Sequence, residues 1–239
     1  MSSNPGLAFP LDVGSLTEAR QWVARLRSAV DVFKVGLELF TRAGPDAVHV
    51  VHDAGASCFL DLKLHDIPAT VARGTQAAAA MGVSYLTLHS ASGAEALRQA
   101  QAAAQHAPTR LLAVGVLTSL DTQDLRAIGV LDDPLALMKR RAELAIGCGV
   151  TGFITSPREC ALLRELVGPG GLLVTPGIRL GHVDRDDQKR AARPREAVLC
   201  GADLLVVGRP LREAADPVGV AATIRNEMDE AYRERETNR

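Results

Sequence analysis

The stretch FLDLKLHDIPATV, residues 59–71, sets charged side chains at alternate positions among leucines. Successive side chains of a β-strand point to opposite faces, so the leucines share one face while Asp61 and Lys63 share the other. The pattern predicts a strand with a charged face. That face meets either solvent or the interior of the protein, and the surrounding sequence decides which.

The rest of the chain alternates short β-type runs with segments of helical spacing. The predicted strands are 7–12, 32–36, 57–63, 85–89, 111–117, 152–156, 172–178 and 204–209. The helical segments include 15–29, 68–81, 93–105, 135–147, 157–166 and 217–231. This alternation implies parallel pairing, and eight units in 239 residues predict an α/β protein with the (β/α)₈ TIM barrel fold. A doubly wound sheet is disfavoured because no Gly-rich dinucleotide fingerprint follows the first strand.

No linker or break in composition divides residues 1–239, so we expect one domain, with residues 1–6 and 229–239 frayed. A net charge of −1 removes the simplest argument for binding nucleic acid or an anionic membrane. No apolar stretch approaches membrane-spanning length, and no signal peptide is recognisable. The four cysteines are scattered, which predicts reduced thiols in a cytoplasmic protein and no metal site.

In a TIM barrel both faces of each strand are covered, one by helices and one by the barrel interior. The leucines of strand three are expected to face the helices. Asp61 and Lys63 then point inward, near the C-terminal mouth where barrel enzymes carry their active sites. Buried charges are costly unless paired, and Lys63 between Asp61 and Asp66 supplies a pairing. An ion pair with a purely structural role remains the alternative.

Other polar residues follow or lie within predicted strands. Lys34 alternates with apolar neighbours and is expected to face inward beside Asp61, although a lone strand lysine is more often solvated. Asp12 ends strand one and is a candidate ligand for a hydroxyl or a metal, or alternatively a helix cap near Ser15. Thr118 or Ser119 after strand five could bond a polar ligand or simply form a turn.

The last two strands carry features of a phosphate site. Gly208 allows close backbone approach and Arg209 offers a planar fork for phosphate oxygens. Phosphate sites after strands seven and eight are common in this fold. The charged loop after strand seven is either a solvated loop or a lid that brings Arg179 and Gln188 to the same phosphate.

Together these residues predict a phosphorylated small-molecule substrate facing an Asp–Lys–Asp array. No metal cluster or covalent cofactor is apparent. Such an array suits chemistry in which charge develops on carbon and a proton is then delivered.

Seven segments, in order from about Leu7 to Ile224, resemble the orotidine 5′-phosphate decarboxylase family. They are LD (11–12), FKVGLELF (33–40), FLDLKLHDIPATV (59–71), VLTS (116–119), VTPGIR (174–179), DDQKR (186–190) and VVGRPL (206–211). The D-x-K-x-x-D-I segment alone is shared with a wider superfamily. Combined with Lys34 and the two C-terminal blocks, it is highly specific.

The resemblance implies cofactor-free decarboxylation of orotidine 5′-phosphate to UMP, the final step of UMP synthesis. It assigns Lys34, Asp61, Lys63 and Asp66 to a charged catalytic tetrad. Lys63 matches the proton donor to C6 of the pyrimidine, and its ammonium stabilises the developing carbanion. Asp61 would lie near the substrate carboxylate, acting either by repulsion or by orienting Lys63.

The resemblance also implies the substrate contacts and a homodimer. Asp66, Ile67 and Thr70 match residues that reach the substrate of the neighbouring subunit. The other implied contacts are Asp12 and Lys34 to the ribose, Thr118 to the pyrimidine, and Arg179, Gln188, Gly208 and Arg209 to the phosphate.

Three rival functions are weaker. A sugar-phosphate decarboxylase of the same superfamily uses Mg²⁺ and has an acidic residue where this chain has Lys34, whose positive charge would repel the metal. A catalytically silent phosphate-binding barrel, or a scaffold, would give no reason for an intact tetrad.

Overall fold

The computed structural model describes residues 4–180 and 192–237. Eight parallel strands pair in sequence order, and β8 pairs with β1 to close a barrel. The strands are β1 (Gly6–Pro10), β2 (Val32–Gly36), β3 (Ser57–Leu64), β4 (Tyr85–His89), β5 (Arg110–Val114), β6 (Gly152–Ile154), β7 (Leu172–Thr175) and β8 (Leu204–Val206). The predicted (β/α)₈ fold is confirmed.

The helices surround the barrel. They are α1 (Leu16–Leu26), α2 (Leu37–Ala43), α3 (Asp46–His52), α4 (Pro68–Ala80), α5 (Ala94–Ala104), α6 (Thr122–Ala127), α7 (Pro134–Gly147), α8 (Pro157–Val167), α9 (Pro194–Leu199), α10 (Arg209–Arg212) and α11 (Pro217–Thr237). The spacing of apolar residues predicted the long helices but none of the short ones. Gly44, with φ +57°, and Pro45 separate α2 from α3.

Two apolar layers hold the fold together. Inside the barrel, Phe59, Leu112 and Val174 belong to a small cluster of buried side chains. A much larger layer lies between the strands and the helices, and Leu60 is fully buried in it. Leu62 and Leu64, both partly buried, pack against this layer, so the leucines of β3 face the helices as predicted. Full burial of one such side chain stabilises the fold by about 1.5–3 kcal/mol.

Several strands end earlier than predicted. β1 stops at Pro10 and β8 at Val206, so Asp12 and Arg209 lie in the segments that follow. After β5 and β7, the apolar residues Val116, Leu117 and Pro176 lie past the strand ends and line the barrel mouth. Since all eight strands are parallel, these segments lie at the same end of the barrel.

In the described residues, parts of the segments 1–6 and 229–239, which the sequence predicted to be frayed, belong to regular elements. Gly6 already pairs with Leu204 in the sheet. Helix α11 continues to Thr237, because Ala231 on its inner face is fully buried. The two ends also meet, since Asn4 Nδ2 donates to Asp229 Oδ1 at 3.1 Å.

Among the helices of residues 4–180 and 192–237, none combines the length and apolar character needed to cross a membrane.

Candidate active site

A cavity of about 300 Å³ opens at the carboxyl ends of the strands. Its described lining combines charged side chains with an apolar floor. The charged residues are Asp12, Lys34, Asp61, Lys63, Arg179, Arg209 and Arg212. The apolar residues include Pro10, Phe59, Val114, Val116, Ile154, Pro176 and Val206. Of these described charged groups five are cationic and two acidic, so the cavity favours an anionic ligand.

A second depression, of about 850 Å³, lies at the opposite end of the barrel. Its acidic groups are already paired within the chain. Asp31 accepts from Arg225 at 2.7 Å, and Asp203 forms an ion pair with Arg164. The cavity at the carboxyl ends of the strands is therefore the better candidate for catalysis, in keeping with the location of active sites in this fold.

Asp61 is the centre of the charged network. Lys63 Nζ donates to its Oδ1 at 2.8 Å, and Lys34 Nζ lies 3.4 Å from its Oδ2. Only 12% of the Asp61 side chain is exposed. Both lysines also line the cavity, which confirms the inward orientation predicted for Lys34, Asp61 and Lys63.

The surroundings keep Asp61 ionised. Burial by itself raises the pKa of a carboxyl group because it disfavours the charged form. The positive charges of Lys34 and Lys63 oppose this effect, and hydrogen bonds from Lys63 and Thr87 add to theirs. The net result is a pKa for Asp61 below its ordinary value of 3.8.

The backbone departs from a regular strand at Lys63. Its φ of +50° lies in the left-handed region, and it is the one non-glycine residue of the described chain with positive φ. The pairing of β3 with β4 steps from Leu60–Leu86 to Leu64–Leu88, so β3 has extra residues at this point. Simple alternation along residues 59–65 did not predict this irregularity. Bulges of this kind often re-aim a side chain next to an active site.

Thr87 was missed as a site residue. Its side chain is fully buried, and its hydroxyl donates to Asp61 Oδ1 at 2.9 Å. The Thr87 Oγ1 atom also accepts the backbone N–H of Lys63, at 2.9 Å. Alternation along YLTLH places Thr87 on the inward face of β4, which is the signal that could have identified it.

Lys34 also binds the acidic residue that follows β1. Its Nζ donates to Asp12 Oδ1 at 3.2 Å. A side chain at Gly36 would lie 3.1 Å from this Nζ and 3.2 Å from the Asp12 oxygen, so glycine leaves room for the ion pair. Ser15, rather than Asp12, caps α1 by accepting from Glu18 N. Asp12 is thus available to the cavity.

The predicted phosphate and pyrimidine contacts lie mostly on the same cavity. Thr118, Arg179, Gly208 and Arg209 all line it, whereas Ser119 does not. Gln188, the remaining predicted phosphate contact, lies outside the described residues.

Arg212 is another cavity residue that the sequence did not single out. Its guanidinium donates to Asp12 O at 2.8 Å and to Pro10 O at 3.0 Å. These bonds tie α10, the short helix that follows β8, to the end of β1.

Asp66, Ile67 and Thr70 are exposed and do not line the cavity of their own chain. The expected pairing of Lys63 with Asp66 is wrong within a single chain, because the Asp66 carboxylate instead accepts from Ile67 N at 2.6 Å. Among the described ion pairs, Lys63 contacts Asp61 alone. Ile67 is 67% exposed, an unusual condition for a large apolar side chain at a barrel mouth.

His89, at the end of β4, stacks on His65 with ring centroids 5.0 Å apart. Burial lowers the pKa of His89 to about 4, and the nearby His65, Arg141 and Lys63 add to the effect. His89 is therefore neutral at physiological pH. Its Nδ1 accepts from Ala91 N at 3.3 Å.

None of the residues described as lining the cavity is a cysteine. Burial raises the pKa of both Cys58 and Cys160 to about 12, which keeps the thiols protonated. All four cysteines are free, as the sequence predicted. In the part of the chain that the structure describes, no three His, Cys, Asp or Glu residues are grouped to hold a metal ion. Metal independence stays a prediction.

Comparison with known proteins identifies the family. The sequence model of the orotidine 5′-phosphate decarboxylase / HUMPS family matches residues 5–224. The chain is 45% identical over 236 residues to orotidine 5′-phosphate decarboxylase of Syntrophotalea carbinolica, covering 95% of this chain and 96% of that protein. It is 46% identical over 224 residues to the enzyme of the same name from Anaeromyxobacter sp. strain K, covering 94% and 98%.

A solved structure agrees with these relatives. The crystal structure of orotidine 5′-phosphate decarboxylase from Lactobacillus acidophilus superposes with a TM-score of 0.82 at 32% identity, covering 95% of this chain and 99% of that one. Sequence and structure comparisons thus agree over nearly the whole length. The chain belongs to the orotidine 5′-phosphate decarboxylase / HUMPS family.

Proposed function

We propose that this protein decarboxylates orotidine 5′-phosphate to UMP and carbon dioxide, the last step of UMP biosynthesis. The observation that carries the proposal is the Lys34–Asp61–Lys63 array on the wall of a predominantly cationic cavity. The names of the 45–46% identical relatives support the same activity. A nucleotide that carries both a phosphate and a carboxylate fits the charge of this cavity.

In this proposal the substrate spans the cavity from its phosphate to its reacting carboxylate. Arg179, Arg209 and the backbone at Gly208 hold the phosphate, with Gln188 as a further contact. Asp12 and Lys34 bind the ribose hydroxyls, and Thr118 bonds the pyrimidine. Binding energy from the phosphate then positions a reacting centre that lies elsewhere in the cavity.

The reaction breaks the bond between C6 and the carboxylate carbon. Carbon dioxide leaves and the electron pair of that bond stays on C6. The Lys63 ammonium, already fixed by Asp61, stabilises this charge and then donates its proton to C6. Water returns a proton to Lys63 to complete the cycle. Asp61 holds Lys63 in position and lies beside the departing carboxylate.

The same array supports a cofactor-independent reaction. The Lys34 ammonium lies beside both Asp12 and Asp61, where it already supplies the positive charge that a divalent cation would bring. A metal-dependent sugar-phosphate decarboxylase needs acidic ligands that are free to coordinate Mg²⁺. The nucleotide reaction is therefore the better match for these residues.

The exposed Asp66, Ile67 and Thr70 fit a homodimer in which each chain completes the site of its partner. Ile67 would bury its apolar side chain in the interface. Asp66 would then contribute the fourth charge of the tetrad to the neighbouring site.

Substrate choice tests the proposal. Purified protein is incubated separately with orotidine 5′-phosphate and with a 3-keto-hexonate 6-phosphate, a sugar acid that has a carboxylate to lose, plus Mg²⁺, and products are separated by chromatography. We expect UMP from the first and no decarboxylation of the second. Turnover of the sugar phosphate alone, or UMP binding without turnover of either substrate, would overturn the proposal.

A further inference from the structure

Thr87 on β4 bonds both acidic and basic members of the charged array through one oxygen. It is fully buried, and it does not line the cavity. A hydroxyl has a single proton, which here goes to Asp61 Oδ1 at 2.9 Å. The lone pairs of the same oxygen remain free to accept the Lys63 N–H at 2.9 Å. Both of its bonds are thus directed at residues that face the cavity.

The bond from Lys63 N replaces one that the sheet does not make. Across the irregularity, four residue steps of β3, from Leu60 to Leu64, face two steps of β4, from Leu86 to Leu88. An N–H in such a bulge lacks its regular partner and is costly to leave unpaired. Thr87 supplies the missing acceptor from its side chain. It therefore holds the left-handed backbone conformation of Lys63, at φ +50°.

The second bond fixes the carboxylate. Asp61 Oδ1 accepts from Thr87 on one strand and from Lys63 Nζ, at 2.8 Å, on its own strand. Thr87 is branched at Cβ, which restricts its rotamers and keeps the hydroxyl in place. The backbone of Lys63 and the carboxylate that holds its ammonium are consequently tied to the same atom.

We infer that Thr87 is a positioning residue for the decarboxylation, acting through Asp61 and Lys63 without touching the substrate. The inference rests on the proposed function, because it needs Lys63 to act on a bound nucleotide. An oxygen that fixes one reactive group at both its backbone and its counter-ion affects the chemical step more than substrate binding.

The test compares Thr87→Val, which keeps the shape and removes the hydroxyl, with Thr87→Ser, which keeps the hydroxyl. For Thr87→Val we expect kcat with orotidine 5′-phosphate to fall about 10- to 100-fold, since small misplacements of a catalytic group have effects of this order. The Kd for UMP stays close to the wild-type value. Thr87→Ser recovers most of the kcat.

A matched control separates positioning from a general structural role. Thr109 is another buried threonine, 6% exposed, whose hydroxyl donates to Val83 O at 2.6 Å away from the cavity. Thr109→Val is expected to lower Tm without lowering kcat. If both valine variants lose stability and neither loses kcat, Thr87 has a structural role only and the inference is overturned.

The outcomes distinguish this inference from the proposed function. Wild-type protein that does not decarboxylate the nucleotide overturns both. An active wild type together with a fully active Thr87→Val overturns the inference alone. Should Thr87→Val not fold, Thr87→Ala removes the same hydroxyl without overfilling the site, and wild-type kcat in that variant overturns the inference equally. Failure of Thr87→Ser to recover kcat also contradicts it.

Discussion

Lys34 Nζ and Asp61 Oδ2 lie 3.4 Å apart across the neighbouring strands β2 and β3. The other carboxylate oxygen of Asp61 is bound to Lys63, so each oxygen faces its own ammonium group. The side chains of Lys34 and Asp61 are only 13% and 12% exposed. Charges that are this buried have a high desolvation cost, and their mutual contacts are what offset it. Removing one of these charged side chains should therefore affect the others, in a way that depends on which one is replaced.

Replacing Lys63 should remove turnover and leave nucleotide binding largely intact. For Lys63→Ala we expect kcat to fall by more than about 10³-fold, because the substitution removes both the proposed proton donor and its positive charge. The measurement pairs steady-state kinetics with UMP binding by calorimetry. Lys139→Ala, on the exposed face of α7, is the control. Substantial activity in folded Lys63→Ala would exclude the proton-donor role.

Replacing Asp61 should destabilise the protein in a pH-dependent way. Because the folded pKa of Asp61 is lowered below 3.8, its carboxylate stabilises the fold at neutral pH. This contribution is lost as the pH falls below the ordinary value and through the lowered one. Asp61→Asn leaves two ammonium groups without their shared counter-ion, so we expect about 3 kcal/mol lower unfolding free energy at pH 7.

The Asp61 prediction is measured by chemical denaturation of both proteins between pH 7 and pH 3. The stability difference between wild type and Asp61→Asn should shrink toward the acid end. Asp46→Asn, at a carboxylate with 71% side-chain exposure, should show little difference at any pH. A stability difference for Asp61→Asn that is constant across the range would contradict the lowered pKa.

Replacing Arg209 should weaken binding only of ligands that carry a phosphate. We expect Arg209→Ala to raise the Kd for UMP about 10- to 100-fold, the range for losing a charge-assisted hydrogen bond. The Kd for uridine, which lacks the phosphate, should not change. Arg233→Ala on α11 serves as the control. Equal losses for UMP and uridine would place Arg209 away from the phosphate.

A charge at position 67 should separate the proposed dimer. Ile67→Arg puts an ion where an apolar side chain would be buried between subunits, so we expect monomers and reduced kcat. Val218→Arg, at an exposed position on α11, should leave the oligomer unchanged. Analytical ultracentrifugation across a range of concentrations measures both. A wild-type protein that stays monomeric at every concentration would contradict the proposed site shared between two subunits.

The sequence predicted the barrel because its two periodicities are local properties, repeated eight times. Lys34, Asp61 and Lys63 followed from the same rule, since alternation along a covered strand directs every second side chain inward. The irregular backbone at Lys63 could not be predicted, because it depends on how β3 pairs with β4. Thr87 was missed for a related reason: its partners are 24 and 26 positions away and meet it only in the closed sheet.

Residues beyond the strand ends were the least predictable. Arg212 reaches Pro10 and Asp12 across the junction of the first and last strands, a contact that barrel closure alone creates. Helix α11 extends past the predicted 217–231 because its charged C-terminal part also carries an apolar stripe that includes Met228 and Ala231. Short helices such as α6, which begins at an Asp121 capping box, are too brief for a clear apolar period.

Decarboxylation by Lys63 without a metal is tested by the reaction itself. Protein exhaustively treated with EDTA is mixed with orotidine 5′-phosphate, and the loss of orotate-ring absorbance is followed alongside Lys63→Ala. We expect rapid, metal-independent conversion to UMP by the wild type and none by the variant. Wild-type activity that appears only after Mg²⁺ is added, or no activity from folded protein that binds UMP, would contradict this expectation.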